Sequence, residues 1–384
     1  MGAEVGSFAV QLPVRVRFGE RVLAELPATL AELGVSRPAV IADPAVLSLD
    51  AVRAVLASLG HPAVHRLAPG EPTVRSAQLA GEFVAAASAD GVVGIGGGSA
   101  LDTAKAARLI CQHGPIERFA WPGNPEPVPP LDLALVTVPT TAGTGSEVSG
   151  GIVLVDHERG LKVSAPSPHN RAQAALVDPS LTHGLPPAPT LAGGLDVLSQ
   201  AIGAITAATH QPVADAIAFE ALRLARDALP AVVRDGGDAG ARSRMACASL
   251  MAGMAMNLSE VGTDHSLGHA LGARHGIPHG LSVGVMIAEA LEHDRRFVPE
   301  RAERIADVLG APPADAPDGS RAVRAVRELL RLVGCPPLRS LGVSDADVEP
   351  LVDLALEGWI PIEPGPWSRA DIANAYRRAL AVRA

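Results

Sequence analysis

The sequence predicts an α/β domain followed by an all-helical domain. Short strands alternate with amphipathic helices up to about Pro187, a pattern typical of a parallel, doubly wound sheet. Beyond this point strand signals are absent, and long stretches rich in alanine and leucine predict helices. The 384 residues suffice for two domains of ordinary size, each with a large core. We therefore divide the chain into an α/β domain at 1–187 and a helical domain at 188–384.

Four strands and three helices are expected in the first domain. The strand Gly91–Ile95 is uniformly apolar or glycine, as expected of a strand buried on both faces, and it leads into a glycine cluster. A second buried strand ends at a threonine-rich loop. The predicted strands are Val14–Phe18, Ala39–Ala42, Gly91–Ile95 and Leu133–Val138, and the predicted helices are Val22–Leu33, Leu49–Leu59 and Val74–Ala87.

Nine helices are expected in the second domain. The segment Leu185–Pro189 contains three prolines and is expected to interrupt any helix at the boundary. Prolines and acidic residues at 311–318 predict a loop. The predicted helices are Thr190–Thr206, Val213–Ala228, Ala239–Met256, Ser259–Ala273, Gly280–His293, Pro299–Leu309, Ser320–Leu332, Ser344–Leu356 and Ser368–Val382.

Composition excludes several classes of protein. A net charge of −9 disfavours binding to nucleic acid or to an anionic membrane. Three widely spaced cysteines indicate a reducing compartment rather than a disulfide framework. We find neither a signal-peptide pattern nor an apolar run of membrane-spanning length, so a cytoplasmic protein is expected.

Two loops that follow buried strands have the composition of a nucleotide site. Glycines let backbone N–H groups approach a pyrophosphate, and a helix N-terminus adds positive potential there. Ligands of doubly wound sheets bind at the carboxyl ends of the strands, where both loops are expected. The first loop lacks the GxGxxG fingerprint of dinucleotide sites. The alternative to a phosphate-binding loop is a tight turn that only connects a strand to a helix. The candidate cofactor-binding residues are Gly96, Gly97, Gly98, Ser99, Asp102 and Lys105 in the first loop, and Thr140, Thr141, Thr144 and Ser146 in the second.

Asp43 ends an earlier strand. A carboxylate there would bind a ribose diol and repel a 2′-phosphate, which favours NAD over NADP. A turn or helix-capping role before Pro44 suits it equally well. Lys105 and Lys162 are the only lysines of the chain. Genome composition accounts for a bias toward arginine, but both lysines lie in segments assigned to the cofactor, which favours a functional role.

A third group of residues has the character of a metal site. Asp196 and Gln200 are spaced by one helical turn, and so are His265 and His269; His279 follows in a Pro-His-Gly sequence. A carboxylate and imidazoles on helices can converge on one divalent ion. Glutamine is a poor ligand for Fe(II) or Zn(II), so the site is a working, an altered or an empty metal centre.

These segments together resemble the iron-containing (group III) alcohol dehydrogenase family over nearly the whole chain. The family pattern GGGSxxDxxK is met at 96–105, its Pro-Thr-Thr-x-x-Thr-Gly-Ser-Glu stretch at 139–147, and its aspartate-proline pair at 178–179. Its His-x3-His-x9-His segment is met by His265, His269 and His279. No single piece is specific, but the combination is.

The resemblance implies a Rossmann-like domain, a helical domain of the dehydroquinate synthase-like architecture, and a cleft where nicotinamide lies beside Fe(II) or Zn(II). Family members hold the metal with one Asp and three His, which correspond to Asp196, His265, His279 and the position of Gln200. The resemblance also places His269 near the substrate, where it would relay a proton, and Lys162 near the cofactor. Family members form dimers or larger oligomers.

Two positions depart from the family pattern. Gln200 replaces a metal histidine, and Gly203 replaces a glutamate. Three ligands remain, which predicts a weakly bound or altered metal, with metal-independent catalysis as in maleylacetate reductases as the alternative. An NAD-binding pseudoenzyme or partner subunit and a dehydroquinate synthase-like lyase are further alternatives. Gly203 is expected to widen the pocket for a small molecule, or for a natural product or peptide undergoing tailoring.

Overall fold

The computed structural model describes residues 7–314 and 317–382. The chain forms two compact units. The α/β unit comprises Pro13–Pro186 and Gly236–Ala246, and the helical unit comprises Pro187–Asp235, Cys247–Ala384 and the described residues that precede Pro13. The second half of the chain therefore contributes eleven residues, 236–246, to the first unit. The division at residues 187 and 188 stays a prediction.

The α/β unit is built around a parallel sheet of six strands. The strands of the sheet are β1 (Arg15–Phe18), β2 (Pro38–Ala42), β3 (Ala63–Arg66), β4 (Gly91–Gly96), β5 (Ala134–Pro139) and β8 (Ala174–Val177). A separate hairpin consists of β6 (Val153–Asp156) and β7 (Leu161–Ser164). The sheet order is β1-β8-β5-β4-β2-β3, and β6 pairs antiparallel with β7. β2 and β4 are buried along their whole length, as their apolar runs predicted.

The fold class of this unit is as predicted. Five of its helices precede β6, namely α1 (Leu26–Glu32), α2 (Pro44–Leu47), α3 (Asp50–Ser58), α4 (Val74–Ala86) and α5 (Gly98–His113). The predicted helix Val22–Leu33 is divided into a 3-10 turn, Val22–Glu25, and α1. Pro27 lies in the first turn of α1, where its missing N–H leaves no hydrogen bond unmade.

Four strands were missed in the sequence. β3 lies at the sheet edge and is only partly buried, so its apolar pattern is weak. β6 and β7 are four residues each and lie outside the parallel sheet. β8 is fully buried but also spans only four residues, too few to establish a period.

The second half is helical, as predicted, and no strand occurs between residues 188 and 382 within the described chain. The helices are α6 (Pro187–Thr206), α7 (Pro212–Arg234), α8 (Ala239–Leu258), α9 (Thr263–His275), α10 (His279–Gly284), α11 (Ile287–Asp294), α12 (Pro299–Val308), α13 (Ser320–Leu332), α14 (Val348–Glu357) and α15 (Arg369–Ala381). None of the described helices is long and apolar enough to cross a bilayer.

Most helix boundaries differ from those predicted by one to six residues, and three of the differences concern prolines or a divided helix. α6 begins at Pro187 and contains Pro189, because the first N–H groups of a helix have no intrahelical partner and prolines are tolerated there. α7 continues through Pro230 to Arg234. The predicted helix Gly280–His293 is two helices, α10 and α11. Part of the predicted loop at 311–318 lies outside the described residues.

Candidate functional site

The first candidate cofactor loop, which contains Gly96, Gly97 and Gly98, follows β4, and the second, which contains Thr140, Thr141 and Thr144, follows β5. The two loops lie side by side at the carboxyl ends of these neighbouring parallel strands. The backbone N–H of Thr140 donates to the Gly96 carbonyl at 2.9 Å. A Cβ on Gly98 would lie 2.6 Å from the Thr144 methyl carbon, and a Cβ on Gly97 would lie 3.2 Å from that of Thr141. These glycines therefore allow the two loops to pack together at the start of α5.

Lys105 lies inside this unit rather than at its surface. Its ammonium is fully buried and donates to Ser146 Oγ at 2.7 Å, to the Gly151 carbonyl at 2.9 Å and to Asp102 Oδ1 at 3.3 Å. Burial lowers the pKa of Lys105, while the neighbouring Asp102 opposes that shift. All three donors of the ammonium are used within the protein, which favours a structural role; direct contact with a cofactor stays a prediction.

Asp102 joins the same network and ties the loops to the hairpin. Its Oδ1 accepts from Ser146 Oγ at 2.5 Å, and its Oδ2 accepts from the backbone N–H of Val153 at 3.0 Å. Glu147, the residue after Ser146, is also buried, and burial raises the pKa of its carboxyl to about 6. Sequence reasoning did not single out Glu147 as a titrating group, although it ends the quoted loop motif.

Asp43 and Lys162 already have partners in the structure. Asp43 caps α2 by accepting from the backbone N–H of Ala45 at 2.7 Å, which is the capping role considered above. Lys162 lies on β7 and forms an ion pair with Glu71 at 2.9 Å. Ser99 lies in the first turn of α5 and is half-buried. Binding of a cofactor by these residues stays a prediction.

Three of the predicted metal ligands converge within the helical unit. Asp196 lies on α6, His265 on α9 and His279 at the start of α10, and one ligand atom from each lies within 4.8 Å of the others. Asp196 Oδ1 is 3.8 Å from His265 Nε2 and 3.7 Å from His279 Nε2. These separations are too long for good hydrogen bonds, and they suit donors that share one ion through bonds of about 2.0–2.2 Å.

Gln200 lies one turn after Asp196 and is also buried. Among the described residues its Oε1 has no hydrogen-bond partner. A buried carbonyl oxygen left in this state costs about 1–3 kcal/mol. The atom is available to a cation or to a water molecule, although carbonyl oxygen is a weaker ligand than imidazole for Fe(II) or Zn(II).

His269 accompanies the ligands without being one of the three. It lies one turn after His265 on α9, and its ring centroid is 6.0 Å from that of His265 and 5.4 Å from that of His279. It is half-buried, so its ring has access to solvent or to a bound molecule. This position suits proton transfer beside the metal site, the role that the resemblance implied.

Gly203 does not widen the pocket, and that expectation is wrong. A Cβ on Gly203 would lie 2.1 Å from the backbone nitrogen of Gly262, so the polypeptide before α9 fills the space of the missing side chain. The glycine permits close packing of two backbone segments.

Two polar residues beside the ligands were missed. The Ser199 hydroxyl makes a short hydrogen bond to Asp264 Oδ2, and its oxygen lies 3.2 Å from His265 Nδ1. Each residue directly precedes a candidate ligand position in the sequence, but only the packing of α6 against the start of α9 brings them together.

Comparison with known proteins identifies the family. Residues 13–179 match the model described as iron-containing alcohol dehydrogenase, and residues 190–380 match the C-terminal model of that family. The chain is an oxidoreductase by this relationship, and it belongs to the iron-containing alcohol dehydrogenase family. The predicted family, fold and enzyme class are therefore confirmed.

Individual relatives agree with this assignment. The chain is 30% identical over 356 residues to choline dehydrogenase from Bacillus subtilis, covering 90% of this chain and 88% of the relative. It resembles the structure of sulfoacetaldehyde reductase from Bifidobacterium kashiwanohense in complex with NAD⁺, with a TM-score of 0.85, 27% identity, and coverage of 98% and 100%. Maleylacetate reductase from Agrobacterium tumefaciens is a further structural relative, with a TM-score of 0.81, 27% identity, and coverage of 98% of both chains.

Proposed function

We propose that the protein is a metal-assisted, NAD-dependent dehydrogenase or reductase that acts on a small alcohol or carbonyl compound. The convergence of Asp196, His265 and His279 is the observation that carries this proposal. Family membership supports the reaction class, and the NAD⁺ complex of a structural relative supports the cofactor.

The loops at the carboxyl ends of β4 and β5 are the proposed site for the NAD pyrophosphate. α5 begins directly after Gly97, so the first N–H groups of the helix and its positive dipole end lie at these loops. The Lys105 network fixes the shape of both loops. Asp43 would bind the adenosine ribose through the carboxylate oxygen that does not cap α2.

The donor set fits a divalent ion. Asp196, His265 and His279 supply one oxygen and two nitrogens, a 2-His-1-carboxylate set that suits Fe(II) and is also compatible with Zn(II). Gln200 Oε1 is the proposed fourth, weaker ligand. Replacing an imidazole by a neutral oxygen predicts a metal that dissociates more readily than from a four-ligand site.

In the forward reaction an alcohol loses a hydride from carbon to NAD⁺ and a proton from oxygen, which yields a carbonyl compound, NADH and a proton. Held by Asp196, His265 and His279, a divalent cation would supply Lewis acidity toward the substrate oxygen. His269 accepts the proton on a ring nitrogen and passes it to solvent, since a neutral imidazole has one nitrogen that accepts a proton. The half-buried position of His269 suits this exchange.

The test is a metal titration of chelator-stripped protein, followed by NADH formation or consumption over a panel of small alcohols and aldehydes. We expect turnover to require added Fe(II) or Zn(II) and to be lost in Asp196→Ala. Full turnover without metal would favour the metal-independent mechanism of the maleylacetate reductase type. NAD binding without turnover would favour a pseudoenzyme, and product formation without net NADH change would favour a lyase.

We also propose a cytoplasmic homodimer or larger homo-oligomer with a small-molecule substrate. The alternately placed apolar side chains of Phe8, Val10 and Leu12 are exposed, which supports an association surface. The narrower prediction of a natural product or peptide substrate loses one support, because the space at Gly203 is filled by backbone.

A further inference from the structure

We propose that Asp264 and Ser199 form a hydrogen-bonded relay that holds His265 with its proton on Nδ1 and thereby strengthens metal binding at Nε2. The inference rests on the proposed function, since it assigns positioning residues to the same metal site. Neither residue is a candidate ligand.

The direction of the hydrogen bonds follows from the chemistry of the three groups. A carboxylate only accepts, and a serine hydroxyl has a single proton to donate. The Ser199 hydroxyl therefore gives its proton to Asp264, with which it makes the short contact, rather than to His265. The lone pairs of Ser199 Oγ then accept from His265 Nδ1 at 3.2 Å.

The tautomer of His265 has a direct consequence for the metal site. A neutral imidazole with its proton on Nδ1 presents the Nε2 lone pair, and Nε2 faces Asp196 Oδ1 at 3.8 Å. Metal-binding histidines commonly donate their second N–H to a carboxylate or carbonyl, which fixes the ring and raises its basicity. Here a serine hydroxyl lies between the histidine and the carboxylate.

The relay depends on the close approach of α6 to the segment before α9. Ser199 and Gly203 lie on the same face of α6, one turn apart. The missing side chain of Gly203 admits the Gly262 backbone, and Asp264 follows two residues later. Thr263 is held as well, since its hydroxyl donates to Asp294 Oδ2 at 2.5 Å. Gly203 thus places the carboxylate that supports His265.

All members of the relay are buried: Ser199 is 0% exposed, Asp264 4% and His265 4%. Water therefore competes little for these hydrogen bonds, and the low local dielectric strengthens them. A relay of this kind compensates in part for the imidazole that Gln200 replaces.

The experiment measures Zn(II) affinity by competition with a chromophoric chelator for the intact protein and for Ser199→Ala, Ser199→Thr, Asp264→Asn and the double variant Ser199→Ala/Asp264→Asn. We expect Ser199→Ala and Asp264→Asn to weaken binding about 10–100-fold, the range for residues that hydrogen-bond to metal ligands. Ser199→Thr keeps the hydroxyl and should therefore retain most of the wild-type affinity for Zn(II). The double variant should bind about as weakly as Ser199→Ala alone, because both changes break one relay.

A second measurement does not depend on metal. In metal-free protein, the ring nitrogen shifts of His265 report its tautomer, and we expect the Nδ1–H form in the wild type and in Ser199→Thr but a mixture in Asp264→Asn. Asp215→Asn is the matched control, because Asp215 is also buried and lies 3.3 Å from the imidazole of His210. The control should leave both readouts unchanged.

The outcomes separate the two proposals. If the wild type binds one Zn(II) that Asp196→Ala abolishes, and the relay variants stay within twofold of the wild type, the relay is refuted while the metal site stands. If Asp196→Ala binds Zn(II) as the wild type does, the proposed metal site fails, and the relay as its support fails with it.

Discussion

The Lys105 cluster of the α/β unit and the Asp196 cluster of the helical unit both bury charged side chains, but they differ in how those side chains are satisfied. Lys105 makes three hydrogen bonds within the protein, and one of them goes to the carboxylate of Asp102. In the helical unit the ligand atoms of Asp196, His265 and His279 face one another at longer distances, and Gln200 Oε1 has no partner among the described residues.

This difference separates scaffold from binding site. A buried charge whose donors are all used has little left to offer a ligand, and loss of such a group destabilises the fold because its partner is left uncompensated. A buried carbonyl oxygen without a partner among the described residues, such as Gln200 Oε1, is costly for the protein by itself, and it becomes favourable when a cation or a water molecule binds it. Both clusters belong to motifs of the same family, so motif membership alone does not distinguish the two roles.

The largest effect is expected from Lys105→Met. Loss of the ammonium leaves the carboxylate of Asp102, whose side chain is 15% exposed, beside an apolar chain, and breaking a buried pair in this way costs at most about 3–5 kcal/mol of unfolding free energy. Denaturant unfolding measures the loss. Arg53→Met is the matched control, because Arg53 also pairs with an aspartate three residues earlier but at the surface. The control should change stability by less than about 1 kcal/mol.

Equal, small effects of the two variants would show that Lys105 is not a structural residue. A direct role in binding NAD would then be the better assignment, with a large rise in the Kd for NAD in Lys105→Met.

The sequence predicted the framework of the fold because its long elements have clear periods. β2, β4 and β5 are apolar runs followed by loop residues, and the helical half contains repeated alanine and leucine patterns. The strands β3 and β8 were missed although the equally short β1 was predicted, because four residues do not reliably establish a period. Packing against the sheet, rather than local pattern, determines such strands.

The candidate site was predicted through the family resemblance, and its details show where that reasoning stops. The three converging residues were chosen as candidate ligands from their spacing and from the family resemblance, and their role as ligands stays a prediction. Ser199 and Asp264 were not, because they lie 65 residues apart and meet only through helix packing. Gly203 was interpreted as an open space, since a sequence does not say which backbone segment fills the volume of an absent side chain.

Gln200→His should complete the proposed ligand set of the helical unit. A third imidazole is a better donor than a carbonyl oxygen for Zn(II) or Fe(II), so we expect affinity to rise about 10–100-fold, or roughly 1.4–2.7 kcal/mol. Chelator competition measures the change. Gln78→His on the exposed face of α4 is the control and should have no effect. Unchanged affinity in Gln200→His would place residue 200 outside the coordination shell.

The smallest effect is expected from Glu147→Gln, which removes a buried titratable carboxyl from the α/β unit and changes how stability depends on pH. Burial raises the pKa of its carboxyl from 4.5 to about 6, so between these values the folded protein binds more protons than the unfolded chain. The contribution of Glu147 to stability is therefore fully present below pH 4.5 and is lost as pH rises to about 6. Glu147→Gln removes this dependence and should gain, relative to the wild type, up to about 2 kcal/mol across that window.

Unfolding measured from about pH 3 to about pH 8 tests this sign, because the range then extends below the ordinary pKa of 4.5. Glu126→Gln provides the opposite case, because Arg118 lowers the pKa of the exposed Glu126 carboxyl. Its contribution to stability is lost as pH falls, so this variant should lose stability relative to the wild type at neutral pH and match it in acid. If Glu147→Gln instead loses stability as pH rises, the attraction between Glu147 and Lys105 outweighs burial. The ionised carboxylate would then belong to the same satisfied network as Asp102.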